Sequence, residues 1–219
     1  MTIRVAARSA PTRTPSESQD RLHARLTVLP SPLIPHRTPH RVPLNPALLV
    51  AAANAFIGVS EQGGDNRGQM VEHFLRSVSL PPGQPWCAAF VYHVGHWAHY
   101  DHLTRWSSWP LPATGSCEAL ARAARANGVL RDEPYVGDVF LLYSRTRRRF
   151  VHTGIVVGVQ DEERVHERDV HVCVTVEGNT NDDGSSNGHT TLRKVRTFRE
   201  VEGHRFVRWA EMVRRAVAA

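Results

Sequence analysis

Cysteine is scarce in this chain. Only Cys87, Cys117 and Cys173 are present, far apart along 219 residues. That spacing excludes the Cys-x-x-Cys pairs of a structural zinc site and leaves one thiol free under any internal pairing, which suits a reducing compartment. Long apolar runs are lacking as well. None reaches the roughly 20 residues that cross a bilayer, and residues 1–8 are interrupted by Arg4 and Arg8 where a secretory leader keeps an unbroken apolar stretch. The expectation is a chain with no signal peptide and no membrane span, cytoplasmic at synthesis. No internal repeat is present, nor any zinc-finger spacing, RNA-binding aromatic motif or His-Glu-x-x-His pair. Asp182-Asp183-Gly184 lacks the alternating oxygen ligands and terminal glutamate of a calcium loop. No metal or other cofactor is expected. Lysine is nearly absent: Lys194 stands alone among 27 basic residues.

What is present points to one domain with a tail. A hydrophobic content of 41% over this length supplies one substantial core. Residues 1–45 are rich in Pro, Arg, Ser and Thr, hold no sustained period, and read as a disordered tail. Residues 46–211 form the folded part, with 212–219 as the C-terminal end. Asn45 is read as an N-cap residue with Pro46 at the first helical position; that helix runs to about Ile57, carries Leu48, Leu49, Ala52 and Phe56 on one side, and stops at Gly58. Further helices are expected over 69–78, 87–100 and 116–127, and strands over 138–143, 151–159, 170–177, 192–198 and 205–209. Helices gathered ahead of antiparallel strands give an α+β class.

The most informative run is Gln84-Pro85-Trp86-Cys87-Ala88-Ala89-Phe90-Val91. It reads as a helix opening with a cysteine in its first turn. There the positive end of the helix dipole and unpaired backbone N–H groups favour the thiolate, the nucleophilic form. Taken alone, Cys87 reads equally well as a small core residue. Its prospective partners lie on strands. His152 opens an apolar, β-branched run, and Val170, Val172, Val174 and Val176 line one side of the next. If a hairpin turns in the charged link 160–169, paired positions sum to about 330, which sets His152 against the region of Glu177 and Asn179. Those two are two apart, leave an extended strand on one side, and either can orient an imidazole toward the thiol. The backbone N–H of Cys87 is a natural oxyanion donor, and Gln84 is a candidate for a second.

These residues carry a family resemblance. Pro85-Trp86-Cys87-Ala88-Ala89-Phe90-Val91, Gly137-Asp138-Val139-Phe140, His152-Thr153-Gly154-Ile155-Val156 and Glu177-Gly178-Asn179-Thr180 together resemble the cysteine, histidine-dependent amidohydrolase/peptidase (CHAP) family. The stretch from Ile57 to Gly68 is similar to the opening segment of its phage-associated members. The resemblance covers roughly residues 46–211. It implies a papain-like fold and cleavage of an amide bond, most often in peptidoglycan peptides, by Cys87 with His152 as base. It also implies Glu177 as the orienter, with Asn179 as a supporting polar group. Some members bind calcium near the cysteine; nothing here matches those clustered aspartates.

The remaining features are read more plainly. A net charge of +6 draws the chain to polyanions, including nucleic acid and the anionic polymers of bacterial walls. Ser144-Arg145-Thr146-Arg147-Arg148-Arg149 is the densest basic cluster and reads as a solvated hairpin turn. Asn181 to Gly188 reads as a turn-rich surface loop. His93, His96 and His99 read as an exposed helix face rather than a metal site, and Trp97, Trp106 and Trp109 as packing aromatics. Cys117 and Cys173 are expected as packed thiols. Two further readings stay open: an intracellular amidase acting on a small peptide conjugate, and an inactive basic module that binds wall polymer or nucleic acid.

Overall fold

Asn45 starts the fold. Its side chain accepts the Ala47 N–H at 2.9 Å and Pro46 follows where no N–H is required, so helix α1 runs over Pro46–Ala55. The computed structural model describes residues 44–103, 105–160, 170–182 and 188–212. The tail expected over 1–45 lies outside them except for its last two residues, and those belong to the domain. Leu44 packs on the core, and the Asn45 N–H donates to His99 Nε2 at 3.3 Å. At the other end Met212 also packs on the core, while 213–219 lie outside the described residues.

Helices α2 (Gln69–Ser77), α3 (Cys87–Ala98) and α4 (Cys117–Ala126) follow close to the expected places. Ser116 caps α4 by accepting the Ala119 N–H at 3.3 Å. The strands are β1 (Tyr100–Asp101), β2 (Trp106–Ser107), β3 (Leu130–Arg131), β4 (Val139–Ser144), β5 (Arg149–Val159), β6 (Val170–Thr180), β7 (Thr190–Arg199) and β8 (Arg205–Val207). The pattern missed β1, β2 and β3 because two residues are too few to express an alternation. Six strands form one antiparallel sheet in the order β3-β8-β4-β5-β6-β7, so the α+β class holds. Ile155 pairs with Val176 and Val159 with Cys173, within about two residues of the expected register. A bulge between Val156 and Gly158 accounts for the drift along the pair. The link 161–169 lies outside the described residues.

Alternation along the strands splits the apolar residues between two faces. Val139, Leu141, Ile155, Val176 and Val207 join the helices in the larger core, built around Trp86, Phe74, Phe90, Leu49 and Leu120. Phe140, Val156, Cys173, Phe198 and Phe206 form a smaller cluster on the opposite side. Leu48 does not face the core as expected; it is 40% exposed, and Ala53 takes the inward place. The histidine stripe of α3 needs a larger correction. His99 is fully buried, stacked on Trp109 with centroids 5.6 Å apart and set edge-on to Trp209 at 5.0 Å. Its Nδ1 pairs with the Gly95 carbonyl at 2.9 Å, so both ring nitrogens have backbone partners. Trp109 packs as expected, whereas Trp97 is 54% exposed. Among the described residues no helix is long and apolar enough to cross a membrane.

Two glycines decide how closely the sheet meets its neighbours. A Cβ on Gly178 would lie 2.6 Å from Trp86 Cζ3 and 2.7 Å from Phe90 Cγ, so only glycine lets β6 touch the start of α3. A Cβ on Gly154 would sit 2.7 Å from the Val176 carbonyl oxygen and 2.9 Å from Glu177 Cγ. Glycine therefore brings β5, β6 and α3 together at one place. Gly178→Ala is expected to lower stability by about 1–3 kcal/mol through overpacking, read as a fall in the urea midpoint at unchanged slope.

Candidate active site

Cys87 is the first residue of α3, and the residue before it is held from two sides. The Trp86 backbone N–H donates to Asn179 Oδ1 at 3.3 Å, and the Trp86 indole donates to Glu61 Oε1 at 2.9 Å. Glu61 Oε2 accepts the Asn66 N–H at 2.8 Å, and Asn179 Nδ2 donates to Asn66 Oδ1 at 3.0 Å and to the Gly188 carbonyl at 2.6 Å. Asn179 adopts a left-handed φ of 55°, which turns its amide toward this network. In the structure Asn179 thus braces the approach to Cys87, with its amide engaged by Trp86, Asn66 and Gly188 rather than by the imidazole. Glu61 and Asn66 share that duty.

The imidazole is oriented by Glu177. His152 Nε2 pairs with Glu177 Oε2 at 2.9 Å, and His152 and Cys87 line the same cleft. Glu177 has no exposed surface, and an isolated buried carboxylate is costly. Its compensation is a group that sequence reasoning missed. Arg196, on β7, grips Glu177 with its fork, Nη2 to Oε2 at 2.5 Å and Nε to Oε1, while the Thr175 hydroxyl donates to Oε1 at 2.6 Å. The Arg196 guanidinium also lies 5.8 Å from the Phe140 ring centroid.

These contacts set the charges. Burial alone would raise the Glu177 carboxyl, but the hydrogen bonds and charges of Arg196 and His152 hold it down to about 2. Burial disfavours the His152 cation, yet the hydrogen bonds and charges of Cys87 and Glu177 raise it to about 9. Cys87 is lowered well below the ordinary thiol value. The hydrogen bond from Cys117 is the largest cause, followed, against the opposing effect of burial, by His152 and the Ala88 N–H. The two shifts run in opposite directions and together favour a thiolate–imidazolium pair.

Cys117 was expected only to pack. It is buried, but it opens α4 as Cys87 opens α3, and the two sulfurs lie 3.8 Å apart. The two helix starts therefore meet at one spot, and their positive ends both favour negative charge there. Glu118 fixes that meeting by accepting the Phe150 N–H of β5 at 2.6 Å. The Cys117 thiol is pushed well above its ordinary value, chiefly by donating to Cys87 and by burial, so it stays protonated. Cys173, in the smaller cluster of the sheet, is a packed thiol as expected, pushed up to about 12 by burial.

Cys87, Cys117, His152, Asn179 and Arg196 line a cleft of about 750 Å³. Gln84 does not: it is exposed and outside the lining, while Pro85 borders the cavity, so the structure does not bring Gln84 to an oxyanion position. The Gly137-Asp138 pair also stays away from the cleft. Asp138 accepts the Tyr135 N–H at 3.0 Å and pairs with Arg208 at 3.3 Å, securing the start of β4, and burial raises it to about 6. The basic turn is exposed as expected, but Arg147 and Arg149 also reach the cleft lining, joined by Lys194. Asn181 is buried against the cleft rather than on a surface loop; residues 183–187 lie outside the described residues. Among the described residues no group of three or more His, Cys, Asp or Glu side chains is placed to hold a metal ion. No family model matches this chain, and no curated protein or solved structure matches it either.

Because the Glu177 carboxyl is depressed, its contribution to stability is present above the ordinary carboxylate range and is lost as pH falls toward about 2. Arg196→Ala removes the cation that holds it down. The variant is expected to lose about 3–5 kcal/mol at neutral pH, as for a broken buried pair, and to unfold in acid at a higher pH than the parent. Denaturant titrations at several pH values check both.

Proposed function

We propose that this chain is a thiol amidohydrolase or endopeptidase of the papain-like CHAP type, acting on peptidoglycan peptides. The observation that carries the reading is the convergence of Cys87 and His152 on one cleft, with His152 hydrogen-bonded to the buried Glu177 carboxylate: a nucleophile, a base and its orienter. In this mechanism the Cys87 thiolate attacks the carbonyl carbon of the amide. The oxyanion forms beside the unpaired N–H of Cys87 at the helix start. The His152 cation gives its proton to the departing amine, and a thioester remains. Neutral His152 then takes a proton from water, whose oxygen attacks the thioester and frees a carboxylate and Cys87. The Asn179–Glu61 brace keeps the sulfur in line by holding Trp86. Arg147, Arg149 and Lys194 around the cleft support an anionic substrate, and the carboxylates of wall peptides fit that demand.

Mass spectrometry of products from purified peptidoglycan tests the reading and names the bond. Cys87→Ser is expected to lower turnover by roughly 10³-fold or more, with the fold retained. Full activity in that variant, or no cleavage of any wall peptide by the parent chain, defeats the proposal.

The active form needs both the thiolate and the imidazolium. Rate is expected to fall on the acid side as Cys87 is protonated and on the alkaline side near about 9 as His152 loses its proton. Glu177→Gln removes the negative charge that helps raise His152, so the alkaline limb is expected at lower pH. Asn179→Ala leaves that limb in place and lowers the plateau. A pH–rate profile of the three proteins separates orienting from bracing.

A further inference from the structure

The hydrolytic scheme uses Cys117 only as a donor to the thiolate, yet its position equips it for more. It faces Cys87 with sulfurs 3.8 Å apart, and both residues line the same cleft, which a small oxidant can enter. A disulfide needs about 2.05 Å, so the sulfurs must close by less than 2 Å. The reactive partner is the one held as a thiolate, the form that peroxides attack. We propose that Cys87 and Cys117 form a reversible oxidation site, in which a hydroperoxide oxidises Cys87 and Cys117 resolves the product as a disulfide.

The steps balance. The Cys87 sulfur attacks one peroxide oxygen; the S–O bond forms, the O–O bond breaks, sulfur is oxidised and the peroxide reduced. The leaving hydroxide or alkoxide takes a proton from His152. Oxidation also removes the negative charge that kept Cys117 protonated, because the thiolate it donated to is gone. Cys117 sulfur then attacks the sulfenic sulfur, the S–S bond forms, and the S–O bond breaks. The departing hydroxide leaves as water with the Cys117 proton. Two thiol equivalents from a reductant reverse the disulfide. The nucleophile is masked rather than destroyed, since closure outruns oxidation to the irreversible sulfinic acid. The site depends on the two thiols and stands apart from the hydrolytic reading.

Hydrogen peroxide added to the full chain, followed by intact mass and peptide mapping, tests it. The parent chain is expected to lose the mass of two hydrogen atoms, to yield a cross-linked peptide joining Cys87 to Cys117, and to recover both thiols with dithiothreitol. Cys173, with no exposed surface, stays reduced and serves as the internal reference. Cys117→Ser is expected to gain oxygen at Cys87 instead, first as a sulfenic acid trapped by dimedone. Overturning results are oxygen uptake at Cys87 in the parent chain with no cross-link, a cross-link through Cys173, or thiols left untouched. The parent measurement is decisive whether or not the variant folds and whether or not the chain hydrolyses wall peptides.

Discussion

The buried negative charge of Glu177 is the constraint on which the site depends. A carboxylate without exposed surface can persist only if its oxygens are filled, and here Arg196, Thr175 and His152 fill them. Each supplies something beyond compensation. Arg196 keeps the acid ionised, Thr175 fixes its rotamer, and His152 gains a charge and a direction. The chain of influence runs from β7 through β6 to β5 and ends at the sulfur on α3. A residue on the far strand of the pair thus helps set the protonation of a thiol it does not touch.

The second organising feature is the meeting of two helix starts. α3 and α4 both open on cysteine, their starts meet at the cleft, and Glu118 ties the second helix to β5. Positive helix ends, the His152 cation and the arginines of the β4–β5 turn give the cleft one dominant sign. That sign favours negative charge, the Cys87 thiolate included. The Glu61–Asn66–Asn179 network plays a different part, since it acts on Trp86 and keeps the opening turn of α3 from fraying.

Much of this was legible in the residues, for reasons that can be named. Asn45-Pro46 and Ser116 announce helix starts, and the alternating valines of β6 announce a strand with a defined inner side. A hairpin centred on the charged link predicts a register close enough to the observed one to place His152 near Glu177. Arg196 stayed hidden because nothing local sets it apart within the strand expected over 192–198; only the β6–β7 pairing turns Arg196 onto Glu177. Cys117 stayed hidden because its significance lies across a helix–helix approach that no local pattern encodes. His99 was misread for the opposite reason. A polar ring in a helix looks solvated until two tryptophans from elsewhere in the chain close over it. Gln84 shows the limit of placing a residue by proximity in sequence to the nucleophile.

The distribution of the site along the chain has a consequence for biosynthesis. Cys87 is made early, whereas the strands that activate it come later and Arg196 lies on β7, after both His152 and Glu177. Chains emerge from the ribosome N-terminal end first. Until β7 has docked beside β6, Glu177 lacks its counter-charge, and His152 lacks a settled anionic partner. The thiol then lacks the share of its lowered pKa that comes through His152. In a half-folded chain Cys87 therefore has only part of what lowers its pKa, and the part relayed through His152 and Glu177 arrives as the sheet is completed.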